Sequence, residues 1–477
     1  MKKIKTKAVN NKTNKNKSLD YLIFFVFILS IIVPIIIAST QYYIVQYGDD
    51  VVWISWAQNH HSNILDIFTT KMGTGYRPMM IMWYFTGYNL WGNEPFYYYL
   101  LNGVLFSGSM VFLYLLGKIL HSRIAGLAAV LLYLFLDASF ILVAKINFIA
   151  TIGEIFFITS ALYYSIRFFK NEDKLSMWFA IGLSVLAFLS KEPSILIIPV
   201  VNLTYLWYRG LWKKNYVIMN LFPFIYLFFM MFYITPDVGS GKDANLFQRI
   251  LANFQFYFDT EITSQFKTPI LLLISIIIAG YYYATHKLRA EIMLCLIWFI
   301  VAVLPFLITQ QIVQPTYLAE ANLGMVLLIG IVISEGLKKK KLILGLIIIG
   351  ILFQASMIPG QISNMKYYNN MISNNQKTFL ETVDSIKQLP SDETVFYFSN
   401  DVRQKYGMQI DENIFKNYLC LRNLCNIKVV TSYPDANYIV LPSSLDIYTF
   451  QKEMPDEKPS VLKQIKNGED YGYLLKK

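Results

Sequence analysis

The chain has 477 residues, 55% of them hydrophobic and only 15% charged, with a formal net charge of +11. A water-soluble fold of this size needs far more charge on its surface, so the composition excludes an ordinary soluble protein and points to repeated passage through a membrane. From Gly360 onward 14 basic residues balance 14 acidic ones, so the whole excess, 28 against 17, lies in the apolar part. There it sets orientation and does not mark a nucleic-acid surface, and no nucleic-acid partner is expected.

Residues 1–19 form a basic tail, with seven lysines and no acid between Met1 and Lys17, as expected of a cytoplasmic segment. The apolar run Leu22–Ala38 has no small-residue cleavage site that stands out, and it reads as a retained anchor. Including that run (20–40), apolar segments long enough to span lie near 97–119, 123–143, 147–169, 175–190, 193–208, 216–235, 268–285, 291–309, 317–335 and 342–359. The fold class expected is therefore an α-helical polytopic membrane protein of about eleven transmembrane helices over residues 20–359. Alternating the loops puts 21 basic residues, tail included, on one side and seven on the other. That bias predicts an amino terminus inside and a carboxy terminus outside, in a multi-pass protein of the cell membrane.

The loop 41–96 is then extracytoplasmic. Ile64, Leu65, Phe68 and Met72 recur there at helical spacing, predicting an amphipathic helix in the membrane interface. Trp53, Trp56, Trp83 and Trp91 suit headgroup level. A second outside loop, 236–267, carries Gly239-Ser240-Gly241 and is a candidate lid. Residues 360–477 read as a small soluble α/β domain outside the membrane, with a helix over 365–389 and a helical stretch near 412–422. Its strands are expected at Thr394–Ser399, Ile427–Thr431 and Asn437–Leu441. Cys295 reads as a small core residue, while the spacing of Cys420 and Cys425 alone does not establish a disulfide.

Asp49 and Asp50, after Gly48, are two adjacent carboxylates at the mouth of a membrane helix, where charge is costly. They read either as a helix N-terminal cap or as a general base acting on an acceptor hydroxyl near the bilayer surface. Arg77, in Tyr76-Arg77-Pro78, stands in an apolar, aromatic neighbourhood and either binds a lipid phosphate or snorkels to the headgroups. Ser190-Lys191-Glu192-Pro193 closes the fifth span. Adjacent side chains pair poorly, so Lys191 is a candidate for the donor phosphate and Glu192 for a basic residue or the acceptor; a plain polar hairpin is the alternative. Glu154 is an acid within a span and a functional candidate for that reason. Lys145 is placed to pair with it or with Asp137. Gln310, Gln311, Gln314 and Tyr317 either bind sugar hydroxyls or cap helices. His60 and His61 point apart on a helix and lack a third ligand, so they read as solvated interface residues, not metal ligands.

These pieces in this order resemble the GT-C superfamily of polytopic glycosyltransferases, which includes protein O-mannosyltransferases and aminoarabinose lipid A transferases. The resemblance rests on Gly48-Asp49-Asp50, Tyr76-Arg77-Pro78, Trp83, Gly87, Trp91-Gly92-Asn93-Glu94-Pro95, Tyr99, Asn102 and Ser190-Lys191-Glu192-Pro193. It covers about residues 20–200. It implies that the carboxylate of the first outside loop, Asp49 with Asp50 beside it, is the catalytic base, and that the donor is a polyprenyl-phosphate sugar. Relatives often carry His after the short aromatic run where this chain reads Tyr97-Tyr98-Tyr99-Leu100-Leu101-Asn102, so no role for that His transfers. Some oligosaccharyl branches require a divalent metal; no ligand set is apparent here, and no cofactor is expected. The activity expected is inverting hexosyl or pentosyl transfer to an acceptor glycan, polymer, protein or lipid outside the membrane. The alternatives are a carrier of lipid-linked glycans and a non-catalytic scaffold for envelope assembly. Against the carrier, the sequence shows no inverted repeat and its charged residues gather on one face.

Overall fold

The computed structural model of the chain describes residues 48–70, 76–92, 94–134, 136, 142–143, 146–221, 269–285, 288–309 and 318–339, with short stretches between 378 and 476. The expected spans at 20–40 and 342–359, most of 216–235, and the loop 236–267 lie outside the described residues.

The first loop is largely helical. It contains α1 (Gly48–His60), a single turn α2 (Asp66–Thr69) and α3 (Pro78–Trp91). Of the amphipathic helix expected over Ile64, Leu65, Phe68 and Met72, the described residues form that one turn, and Met72 lies outside them. Ile64, Leu65 and Phe68 are exposed, while Ile67 turns inward onto Ile81 and Phe85. Asn63 marks the start of the turn: its side chain accepts from the Leu65 N–H and donates to Asp66, competing with helix before that residue.

The helical body continues with α4 (Pro95–Leu120), α5 (Arg123–Leu134), a 3₁₀ turn (Ile146–Phe148), α6 (Ile149–Asn171), α7 (Lys174–Phe188) and α8 (Ser194–Arg209). After it come α9 (Pro269–Ala284), α10 (Arg289–Thr309) and α11 (Ala319–Lys339). Among the described residues four helices are long and apolar enough to cross a membrane: Phe96–Leu120, Ile149–Asn171, Arg289–Leu307 and Ala319–Leu337. Among the described residues of the run expected as a span at 123–143, Arg123–Leu134 form a helix of 12 residues.

Lipid offers no hydrophobic drive for helix association, so close backbone approach has to hold the bundle together. Helix α4 meets α5 at Gly117 and Gly126, where a Cβ on Gly117 would stand 2.5 Å from Gly126 Cα. Helix α11 meets α10 at Gly324, where a Cβ would stand 2.6 Å from the Cys295 carbonyl oxygen. Gly126→Ala would put its methyl 2.3 Å from the Tyr114 carbonyl oxygen, a backbone atom with little freedom to retreat. We expect that substitution to cost about 1–3 kcal/mol, seen as a lower melting temperature of the detergent-solubilised protein; an unchanged melt would mean that the α4–α5 crossing is looser than described.

Loops 118–123, 167–174, 209–214 and 288–291 meet at one end of the bundle. Lys170 Nζ donates to the Ile119 carbonyl, Lys213 pairs with Glu172, Arg209 pairs with Glu291, and His121 Nε2 lies 3.0 Å from Glu335 Oε1. The Arg77 and Lys191 segments lie at the opposite end.

Towards the carboxy terminus five strands form one mixed sheet: β1 (Thr394–Phe396), β2 (Lys428–Val430), β3 (Tyr438–Leu441), β4 (Ser460–Asn467) and β5 (Asp470–Lys476), in the order β2-β1-β3-β5-β4. The β1–β2 and β1–β3 pairs are parallel, and β3–β5 and β4–β5 antiparallel. Side chains alternate across it as the pleat requires. Val395, Tyr397, Val440 and Leu474 belong to the same continuous apolar cluster as the helices, while Phe396, Ile439, Leu441 and Leu475 form a second cluster on the other face.

Candidate active site

The site lies where the start of α3 meets the turn between α7 and α8. Proline at its first position starts α3 without wasting an N–H donor. The next amide, Met79 N–H, donates to the Leu189 carbonyl at 3.0 Å, docking the α3 N-terminus on the end of α7. This brings Arg77 to Glu192. The guanidinium Nε donates to Oε1 at 2.9 Å and to Oε2 at 3.2 Å, and Nη2 donates to Oε2 at 2.8 Å. The two side chains are 32% and 39% exposed, so this fork-to-fork pair is reachable from outside the protein. Burial pushes the Glu192 carboxyl up, but the Arg77 guanidinium outweighs it and holds the group below the ordinary carboxylate range. The charge on this pair is therefore present at neutral pH and is lost only as the pH falls through that lowered value.

Lys191, next in sequence, points the other way. Its ammonium donates to Glu320 Oε1 at 2.8 Å and to Thr151 Oγ1 at 3.0 Å, and lies 4.0 Å from Glu154 Oε2 and over the Phe306 ring. The side chain is 8% exposed, and those of Glu154 and Glu320 are fully buried. Glu154 Oε1 accepts from the Ser194 N–H at 2.8 Å, satisfying one of the orphan donors at the start of α8. Neither Glu154 Oε2 nor Glu320 Oε2 receives a protein N–H or hydroxyl. Trp83 crosses Gly153, whose missing side chain leaves room for the indole: a Cβ there would stand 3.3 Å from Trp83 Nε1.

The structure thus brings Arg77, Glu154, Lys191 and Glu192 into one cluster and adds Glu320, which the sequence reading missed. Glu320 sits in the first turn of α11, and the close contact at Gly324, one turn later, holds that helix against α10. Asp49 and Asp50 fall in the first turn of α1, with side chains outside the described set. Lys145, Gln311 and Tyr317, together with Asp137, Gln310, Gln314, Cys420 and Cys425, lie outside the described residues. His60 Nδ1 lies 2.8 Å from the Trp56 carbonyl oxygen and its ring stacks on Trp56, while His61 Nδ1 lies 2.7 Å from the Gln58 carbonyl oxygen. Among the described residues no three His, Cys, Asp or Glu side chains gather as a metal would require.

The aromatic pattern between the two loop ends is a packing device. Gly87 leaves space for Tyr98, whose ring would stand 2.6 Å from a Cβ there, and the Tyr98 hydroxyl donates to the Gly92 carbonyl at 2.9 Å. Gly92 has φ 57°, a conformation that ends α3 and costs glycine little. Trp91 stacks on Tyr97. Tyr99 and Asn102 are fully buried on α4.

The model of the dolichyl-phosphate-mannose-protein mannosyltransferase family matches residues 76–237, a segment that contains Arg77, Glu154, Lys191 and Glu192 but neither Asp49 nor Glu320. No curated protein matches the chain in sequence. Among solved structures, ArnT from Cupriavidus metallidurans bound to undecaprenyl phosphate is similar over 95% of this chain and 97% of its own, at 11% identity and a TM-score of 0.55. The same protein in its apo state gives 12% identity and a TM-score of 0.53, over 97% and 98% of the two chains. An Archaeoglobus fulgidus oligosaccharyltransferase in complex with Zn and sulfate is similar over 86% of this chain and 67% of its own, at 10% identity and a TM-score of 0.50. At such identities the likeness is one of fold. The chain thus shares its fold with ArnT, and over residues 76–237 it is similar to the dolichyl-phosphate-mannose-protein mannosyltransferase family.

Proposed function

We propose that the chain moves one sugar from a polyprenyl-phosphate-linked donor to an acceptor hydroxyl on the extracytoplasmic face of the membrane. The observation that carries this reading is the reachable guanidinium of Arg77 at the docked ends of α3 and α7, with the Lys191 ammonium buried behind it. A guanidinium fork suits a phosphate, and a cation in a poorly hydrated site stabilises the charge that a departing phosphate gains. The undecaprenyl phosphate named in the ArnT structure supports a lipid phosphate as the leaving group.

In the reaction Asp49 takes the proton of the acceptor hydroxyl while that oxygen attacks the anomeric carbon. The bond from that carbon to the phosphate oxygen breaks, its electron pair stays on the phosphate, and the anomeric configuration inverts. Asp50 orients Asp49 or the acceptor. Arg77 holds the phosphate, and Lys191 adds positive potential behind it. Glu154, Glu192, Lys145, Gln311 and Tyr317 are the further substrate-binding candidates. The reaction as written needs no cofactor.

Reconstitution in liposomes with labelled polyprenyl-phosphate sugars tests the reading. Transfer of label to a cell-envelope acceptor with release of free polyprenyl phosphate is expected. Movement of intact donor between leaflets without transfer would favour a carrier instead.

A further inference from the structure

The cations of the site are already matched by carboxyl groups before any phosphate arrives. Lys191 is held by Glu320 at 2.8 Å with Glu154 at 4.0 Å, and Arg77 is held by Glu192 in a bidentate pair. A phosphate approaching Arg77 therefore meets a guanidinium edge that a carboxylate occupies. Carboxylate and phosphate use that edge in the same way, with two N–H donors to two oxygens, so they cannot share it.

For a phosphate to take that Nε–Nη2 edge, one of the three carboxyl groups has to give way, and burial decides which. Glu154 and Glu320 are fully buried. Glu154 caps the start of α8 through the Ser194 N–H, and removing either group would leave the Lys191 ammonium undercompensated in a dry setting, which is costly. Glu192 lies in the turn between α7 and α8, has a 39% exposed side chain, and can leave Arg77 for water without stranding a buried charge. Replacing one monoanion by another at the same fork also leaves the charge of the site unchanged.

We propose that Glu192 is a placeholder: in the donor-free state its carboxylate occupies the Arg77 edge that the donor phosphate takes, and donor binding exchanges one for the other. The inference rests on the reading above that Arg77 recognises the phosphate. It adds a sign which that reading lacks, because a placeholder competes with the ligand whereas a residue that merely orients Arg77 helps it. The same competition favours release, since the returning carboxylate displaces the product phosphate.

Binding of undecaprenyl phosphate and of inorganic phosphate to the full-length detergent-solubilised protein, followed by tryptophan fluorescence, tests this with three variants. Glu192→Gln keeps size and hydrogen bonding but removes the competing charge. It is expected to tighten binding about fivefold, the scale of a part-exposed ion pair. Arg77→Ala is expected to weaken binding, and Arg77→Ala/Glu192→Gln to match Arg77→Ala. Glu192→Ala serves in place of Glu192→Gln if that variant fails to fold. Tightening with undecaprenyl phosphate alone identifies the lipid headgroup as the ligand, and tightening with both shows that the phosphate group suffices. Weaker or unchanged binding in Glu192→Gln, with Arg77→Ala weakened, would overturn the placeholder and leave the phosphate reading standing. Unchanged binding in Arg77→Ala would remove both.

Discussion

Asp49→Asn is expected to keep expression and donor binding while losing roughly 10²–10⁴-fold in turnover, the usual scale of general base catalysis. Asparagine matches aspartate in size and still hydrogen-bonds, but it cannot take the acceptor's proton. Asp49 and Asp50 share the first turn of α1, and successive residues on a helix project in different directions, so one should dominate the chemistry. Asp50→Asn should therefore lose less. If both carboxylates only cap α1, each change to Asn should leave turnover near normal, because Asn is an equally good cap. A reversed order would move the base to Asp50.

Lys191→Met is expected to be the most damaging single change to stability, by about 3–5 kcal/mol, because it strips the cation from two buried carboxyl groups. Glu320 would lose its 2.8 Å partner and Glu154 its nearest positive charge. Adding Glu320→Gln should recover part of the loss, since one of the two buried carboxyl groups is then removed together with the cation. Arg77→Ala should behave differently: its pair is about one-third exposed and stabilises little, so its cost should fall on donor binding. Melting temperatures and donor affinities measured on the four proteins check the contrast. A Lys191→Met protein that melts like the wild type would show that the buried cluster is not held by its charges.

The membrane class, the position of most helices and three of the strands were legible because each is written in a local stretch of sequence. A run such as Phe96–Leu120 carries its own signal of length and apolarity. The β4–β5 hairpin was missed although Asn467-Gly468 is a strong turn signal. Its strands, Ser-Val-Leu-Lys-Gln-Ile-Lys-Asn and Asp-Tyr-Gly-Tyr-Leu-Leu-Lys, mix charge with apolar residues because β4 lies at the sheet edge, where Val461 and Leu462 are exposed. The site was legible one residue at a time but not as pairs. Arg77 and Glu192 are 115 positions apart, and Lys191 and Glu320 are 129 apart. Glu320 by itself looks like any acid in the first turn of a helix. Only the docking of α3 on α7, and of α11 on α10 through Gly324, makes partners of them. The aromatic pattern from Trp83 to Asn102 carried part of the family resemblance, yet in the structure it largely packs the α3–α4 hairpin.

The polyprenyl lipids of cells lacking this protein test the central claim most directly. Mass spectrometry of their membranes should show one polyprenyl-phosphate sugar accumulating, and its mass would identify the donor sugar. The wild-type chain should clear that lipid on re-expression, and Asp49→Asn should not. A lipid pool unchanged by loss of the protein, or cleared equally well by Asp49→Asn, would contradict the account.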